Sequence, residues 1–182
     1  MTGAAAPVGV AVMAYGTPAG PDEIETYYTH IRRGRPPSAE QLAELTGRYE
    51  ALGGTSSMAA RTAAQVAAIE AALEARAPGR FLVALGQKHA SPFVEDAASE
   101  LRARGAEVVV GVVLAPHFSA ASVGEYQARL AAAVETQGGR AVAIDRWSDL
   151  EAWLAFTAAA VSDGLAALPD RTKVLFTAHS LP

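Results

Sequence analysis

The stretch Val108-Val109-Val110-Gly111-Val112-Val113-Leu114 decides the fold. Seven apolar positions in a row, five of them valine, leave no face for water. β-branched side chains are stiff and suit a pleated backbone. Such a run reads as a strand buried on both sides, the kind found in parallel sheets with helices on both faces. A helical pattern over residues 91–104 precedes it and closes at Gly105. A second over residues 122–135 follows it and closes at Gly138-Gly139.

Outward from that strand the rhythm repeats. Toward the N-terminus, residues 81–85 form an apolar run. Residues 8–15 form another, with valine at alternate places, ended by Gly16-Thr17-Pro18. Toward the C-terminus, residues 141–145 and 173–177 predict two further strands, with a helix over 150–168 between them. Between the first two strands lie three helical patterns. Residues 22–33 start acidic and end basic, matching the helix dipole. Ser38-Ala39-Glu40-Gln41 is a capping box, opening a helix that runs to about residue 52. Ser56 caps an alanine-rich helix over 56–75. Ser91-Pro92 reads as an N-cap followed by a proline in the first helical turn. Strand and helix in alternation, joined by short loops, predict an α/β fold. It is a doubly wound parallel sheet with helices on both faces.

The 182 residues suffice for one domain with a core, since domains run to roughly 100–200 residues. The composition, 51% apolar and 19% charged, is globular rather than disordered. A net charge of −4 argues against nucleic acid as a partner. No cysteine occurs, which excludes disulfides, thiolate zinc and iron–sulfur ligands within this stretch. The N-terminus lacks the basic start of a signal peptide. No apolar run reaches the ~18 residues a membrane span requires. A soluble, cytoplasmic protein is expected.

In open α/β sheets, ligands bind beyond the carboxyl ends of the strands. Four segments place polar groups there: Tyr15-Gly16-Thr17, Lys88-His89, His117-Phe118-Ser119 and His179-Ser180. Three of the four histidines therefore stand at strand ends. There is no G-x-G-x-x-G after the first strand, no Walker lysine, no G-x-S-x-G elbow and no H-E-x-x-H pair. The residues alone define an α/β domain with a histidine-lined cleft.

A family resemblance goes further. Met13-Ala14-Tyr15-Gly16-Thr17-Pro18, Tyr27-Tyr28-Thr29-His30-Ile31-Arg32-Arg33-Gly34-Arg35, Arg48-Tyr49 and Gly53-Gly54-Thr55-Ser56 occur in that order. Lys88-His89, Pro92-Phe93-Val94-Glu95-Asp96, Leu114-Ala115-Pro116-His117-Phe118-Ser119 and Ala178-His179-Ser180-Leu181-Pro182 follow. Together these motifs resemble a ferrochelatase over nearly the whole chain. The first two are nearer the coproporphyrin-using type of Gram-positive bacteria than the protoporphyrin-using type. One departure is Ser57-Met58, where the family usually has Pro-Leu. Serine is tolerated in a first helical turn and methionine conserves the volume of leucine, so a small effect is expected.

The resemblance implies a chelatase-like fold in which residues 1–182 are the N-terminal domain of a two-domain enzyme, with the C-terminal domain absent. It implies a lyase that inserts ferrous iron into coproporphyrin III in haem biosynthesis. Iron and porphyrin are substrates and no organic cofactor is needed. Enzymes of later haem synthesis are further candidate partners. His179 is implied as catalytic and as a metal ligand, because a neutral imidazole both binds a borderline metal and accepts protons near neutral pH. Taken alone, a histidine after a strand reads as a structural hydrogen-bonding group. The glutamate that partners it in the family belongs to the missing half. Tyr15 is implied as an axial ligand to product iron; otherwise it is a core tyrosine. Arg32, Arg48 and Tyr49 match propionate-holding positions, where guanidinium binds carboxylate bidentately. An ordinary solvated helix face is the alternative for them, and Arg33 and Arg35 read as plain surface charge. Ser56 and Tyr126 match further porphyrin contacts, Ser56 being equally a helix cap. His89 and His117 read as structural. Protoporphyrin IX metallation, cobalt chelation, or a non-catalytic tetrapyrrole-binding role for the fragment remain open. The 182-residue chain by itself is expected not to metallate porphyrin at an enzymatic rate.

Overall fold

The computed structural model describes residues 6–54 and 56–177. Four strands, β1 (Val8–Ala14), β2 (Phe81–Gln87), β3 (Val108–Val113) and β4 (Arg140–Ile144), form one parallel sheet in the order β2-β1-β3-β4. Among the described residues six helices connect and cover them: α1 (Ile24–Ile31), α2 (Ala39–Ala51), α3 (Met58–Arg76), α4 (Val94–Ala103), α5 (Glu125–Glu135) and α6 (Glu151–Ala166). A single 3₁₀ turn (Pro21–Glu23) leads into α1 and a π turn (Ala120–Gly124) into α5. No helix among the described residues is long and apolar enough to cross a membrane.

The register sets the two faces. Val10 pairs with Val83 on one side and Val110 on the other. Because strand side chains alternate, Ala11 and Met13 face one way and Val10 and Val12 the other. On the first face Met13, Ala84, Val109 and Val113 meet Val94 and Leu101 of α4 and Leu130 and Val134 of α5. α5 lies so close that a Cβ on Gly111 would stand 2.6 Å from Leu130 Cδ2, and Met13 Cε of β1 would be 2.9 Å away. Glycine is therefore what lets helix and strand touch at the centre of β3. On the second face Val10, Val12 and Val83 meet Val66, Ile69 and Leu73 of α3.

The predicted doubly wound sheet is present, with four departures from the expected pattern. β3 is not buried on both sides: Val109, Gly111 and Val113 are buried, whereas Val108, Val110 and Val112 are half-covered. The second face is incompletely filled, since α6 has no fully buried residue. α4 begins at Val94 rather than at Ser91-Pro92. Gln87 N–H donates to the Pro92 carbonyl at 2.7 Å, so those two residues serve a turn that extends β2. Residues 173–177 form no strand, and Leu175 and Phe176 stay more than 80% exposed at 84% and 83%. An apolar run becomes a strand only where a neighbour pairs its backbone groups, and none does so among the described residues.

Candidate functional site

A sheet in the order 2-1-3-4 reverses its winding direction at β1, and a crevice opens above the carboxyl ends of the strands on either side. β1 delivers Tyr15, which is 45% exposed. The next residue, Gly16, has φ +92°, a left-handed conformation that glycine adopts without strain. That bend turns the Gly16 carbonyl to accept the Tyr27 hydroxyl at 3.2 Å, which anchors α1 over the end of β1. Thr17, buried, shares a hydrogen bond of 3.3 Å with the Tyr49 hydroxyl, which ties α2 to the same place.

β2 delivers Lys88 and His89. Their backbone N–H groups donate to the Ala14 and Tyr15 carbonyls at 2.9 and 3.0 Å, continuing the ladder past the end of the sheet. The Lys88 ammonium, 9% exposed, donates to the Glu125 carboxylate at 2.8 Å and sits 5.2 Å above the Tyr126 ring. Arg129, one turn further along α5, binds Glu95 of α4 through both carboxylate oxygens at 2.7 Å. It also donates to the Lys88 carbonyl at 2.9 Å. α5 therefore closes over β2 by charge-assisted contacts with its partners fixed. Arg129 holds the Glu95 carboxyl below the usual carboxylate range, and Lys88 does the same for Glu125.

Two cavities meet at Tyr15. One, of about 320 Å³, is lined by Tyr15, Tyr27, Tyr28, Ile31, Arg48 and Tyr49, with Gln41, Glu44 and Leu45. The other, of about 550 Å³, is lined by Tyr15, Ile31, His30, His89, Arg33 and Lys88, with Gly34, Ala121, Glu125 and Arg129. Tyr15 and Ile31 belong to both and form the ridge between them. Burial raises the Tyr15 phenol above its ordinary range, with smaller contributions from Glu125 and Tyr49. Burial pushes His89 down to about 4, aided by neighbouring His30, so its imidazole is neutral near pH 7.

Tyr15, Arg48 and Tyr49 come together at the first cavity. Ser56 joins Arg48 and Tyr49 at a smaller hollow of about 220 Å³, where its hydroxyl accepts the Met58 N–H at 3.1 Å. Arg48 is paired with Glu44 on the exposed side of α2. Arg32 lies apart, with its guanidinium 5.5 Å over the Tyr28 ring and its Nε donating to the Arg35 carbonyl at 3.2 Å. Tyr126 is buried in the α4/α5 core. His117 is exposed and makes no hydrogen bond among the described residues. His179 lies outside the described residues. Among the described residues no group of three or more His, Cys, Asp or Glu is arranged to hold a metal ion.

Glu95, Glu125, Arg129 and His30 were not singled out from the sequence. Glu125 and Arg129 are four apart on one helix and read as an ordinary surface pair. The fold splits them, sending one to Lys88 and the other to Glu95. The signal beside them in the sequence is Tyr126, Leu130 and Val134, four apart, which form the buried stripe of the helix.

Fold and crevice define a doubly wound α/β domain with a phenol-walled, cation-flanked cleft at the strand ends. A model of the ferrochelatase family matches residues 7–182. The chain is 44% identical over 179 residues to the coproporphyrin III ferrochelatase of Halalkalibacterium halodurans, covering 96% of this chain and 58% of that protein. It is 43% identical over 180 residues to the coproporphyrin III ferrochelatase of Geobacillus kaustophilus, covering 96% and 57%. To coproporphyrin III ferrochelatase 2 of Bacillus anthracis it is 41% identical over 179 residues, covering 96% and 56%. The chain belongs to the ferrochelatase family. It spans between 56% and 58% of the length of these relatives.

Proposed function

We propose that the protein, as the N-terminal domain of a two-domain lyase, inserts ferrous iron into coproporphyrin III, giving coproheme in the cytoplasmic synthesis of haem. The observation that carries this reading is the Tyr15 ridge, a half-exposed phenol between two cavities with Arg48 beside one and Lys88 and Arg129 beside the other. A planar macrocycle lying across such a ridge presents its centre to the phenol and its acidic edges to the cations. The names of the relatives support the choice of porphyrin.

The residues divide the work by chemistry. Arg48 holds a propionate as a bidentate donor, with the Tyr49 hydroxyl and Ser56 beside it. The Glu44 partner that a propionate displaces is exposed, and an exposed pair costs little to break, about 0–1 kcal/mol. Arg32 releases the Tyr28 ring to meet a second propionate, and Tyr126 supports the cleft wall. Tyr15 offers its oxygen to iron on one face of the macrocycle, and His179 serves the other face. The reaction exchanges one ferrous ion for two pyrrole N–H protons, of which one goes to His179 and the other to solvent water. His179 takes up a proton as the metal leaves its imidazole. Iron and porphyrin are substrates, the protein needs no organic cofactor, and an enzyme of later haem synthesis receives the product.

Anaerobic absorbance of the full-length protein with ferrous iron tests the reading. Coproporphyrin III should lose its free-base bands faster than protoporphyrin IX, and Arg48→Ala should narrow that difference. Faster loss of protoporphyrin IX would remove the propionate roles, and metallation of neither would remove the chelatase reading.

A further inference from the structure

Tyr15 carries the most weight in the cleft, yet its hydroxyl makes no hydrogen bond among the described residues. A phenol ring turns about two side-chain bonds, and an exposed one occupies several staggered states. An oxygen meant for the centre of a macrocycle has to approach along the normal to its plane. The ring must be held by something, and the ring against it is His89, with centroids 4.6 Å apart and planes inclined by 53°.

His89 is itself held on two sides. Its N–H donates to the Tyr15 carbonyl at 3.0 Å, so the two residues stand opposite each other at the ends of adjacent strands. Its Nδ1 lies 2.9 Å from Nδ1 of His30 on α1, where one imidazole donates its N–H to the lone pair of the other. His30 in turn stacks on Phe93 at 5.2 Å with planes inclined by 27°. Phe93 is fixed at the start of α4 by its N–H donating to the Asp96 carboxylate at 2.7 Å. Four rings thus run from α4 through α1 and β2 to the end of β1, and the one hydrogen bond between side chains in the series joins the two imidazoles.

We propose that His89, oriented by its hydrogen bond to His30, is the positioning residue for Tyr15 and fixes the angle at which the phenol faces the cleft. The functional meaning of that angle rests on Tyr15 as the iron ligand, and the positioning itself does not. If the rings only filled space, any side chain of similar volume would replace His30. A hydrogen-bond role makes a different demand, because asparagine supplies a donor and an acceptor near the Nδ1 position while leucine supplies volume alone.

The test uses the full-length protein in two arms. Without ligand, NMR of ring-labelled tyrosine, with the Tyr15 signals assigned by Tyr15→Phe, reads the ring directly. His89→Ala and His30→Leu should shift and broaden the Tyr15 signals, and His30→Asn should keep them near wild type. Unmoved Tyr15 signals in His89→Ala and His30→Leu, or equal disturbance by His30→Leu and His30→Asn, would overturn the proposal. In the second arm, ferric coproporphyrin III is the probe and its tyrosinate-to-iron charge-transfer band is the signature. Binding should weaken by about tenfold and the band should fade in His30→Leu, with both restored in His30→Asn, as for a group that orients a ligand. A wild-type complex with no such band would remove Tyr15 as iron ligand, and the first arm would still decide the positioning.

Discussion

The two faces of the sheet are built from equally apolar sequence and end up differently packed. Under α4 and α5, Leu101, Val109, Leu130 and Val134 are fully buried, and charged contacts lock the helices at the strand ends. Under α3 and α6 a groove of about 700 Å³ remains, lined by Ile69, Val112, Leu114, Ile144, Trp147 and Trp153. Trp147 bonds the Val113 carbonyl through its indole N–H at 2.9 Å and meets Trp153 edge-on at 5.0 Å, while Phe156 beyond them is 67% exposed. Hydrophobicity therefore selects which residues lie against the sheet, and shape decides whether they close. Gly111 is the local reason for closure, since it lets α5 descend onto β3, and nothing comparable brings α6 down.

The difference can be broken by substitution. Leu130→Ala on the closed face should cost about 3 kcal/mol in denaturant unfolding, because neighbours locked on both sides cannot collapse into the space. Ile69→Ala on the open face should cost roughly half of that, about 1.5 kcal/mol, since part of its surface is wet already. Equal losses would erase the contrast.

A smaller effect sharpens it. The Glu95–Arg129 pair fastens α4 to α5 on the closed face only. Arg129 lowers the Glu95 carboxyl in the folded state, so its contribution is present above the ordinary carboxylate range and is lost as pH falls through the folded value. The pair is partly exposed, so it is worth about 1 kcal/mol at most. Glu95→Gln should flatten the acid limb of a stability profile while leaving it unchanged near neutrality apart from that loss. An acid limb identical to wild type would place the pair among contacts without energetic weight. Smallest of all, Phe156→Ser should move stability by no more than about 0.5 kcal/mol. A larger loss would mean that the open face is closed in solution.

Most of the fold was legible from sequence for local reasons. Strands β1 to β4 announce themselves as apolar runs with a glycine close to one end, at Gly16, Gly79, Gly105 and Gly139. Ser38 and Gln41 form the reciprocal cap that their spacing predicts, at 3.2 and 3.0 Å. What was not legible depends on partners distant in sequence. Residues 173–177 have strand composition without a strand beside them, and Ser91-Pro92 carries a helix-start signature that a bridge to Gln87 overrides. The same holds at the site. Tyr15, Arg48 and Tyr49 came from motif and meet at one cavity. The His30–His89 contact joins residues 59 apart in sequence and has no local signal.

The contrast between the faces also sets the most direct test of the functional account. A tetrapyrrole is flat, apolar and edged with carboxylates, and the molecule offers it both a polar crevice at Tyr15 and an apolar groove at Trp147 and Trp153. A crystal structure of the full-length protein with ferric coproporphyrin III separates them. The macrocycle should lie across the Tyr15 ridge, with a propionate on Arg48. A macrocycle lodged between α3 and α6, leaving Tyr15 and Arg48 untouched, would contradict it.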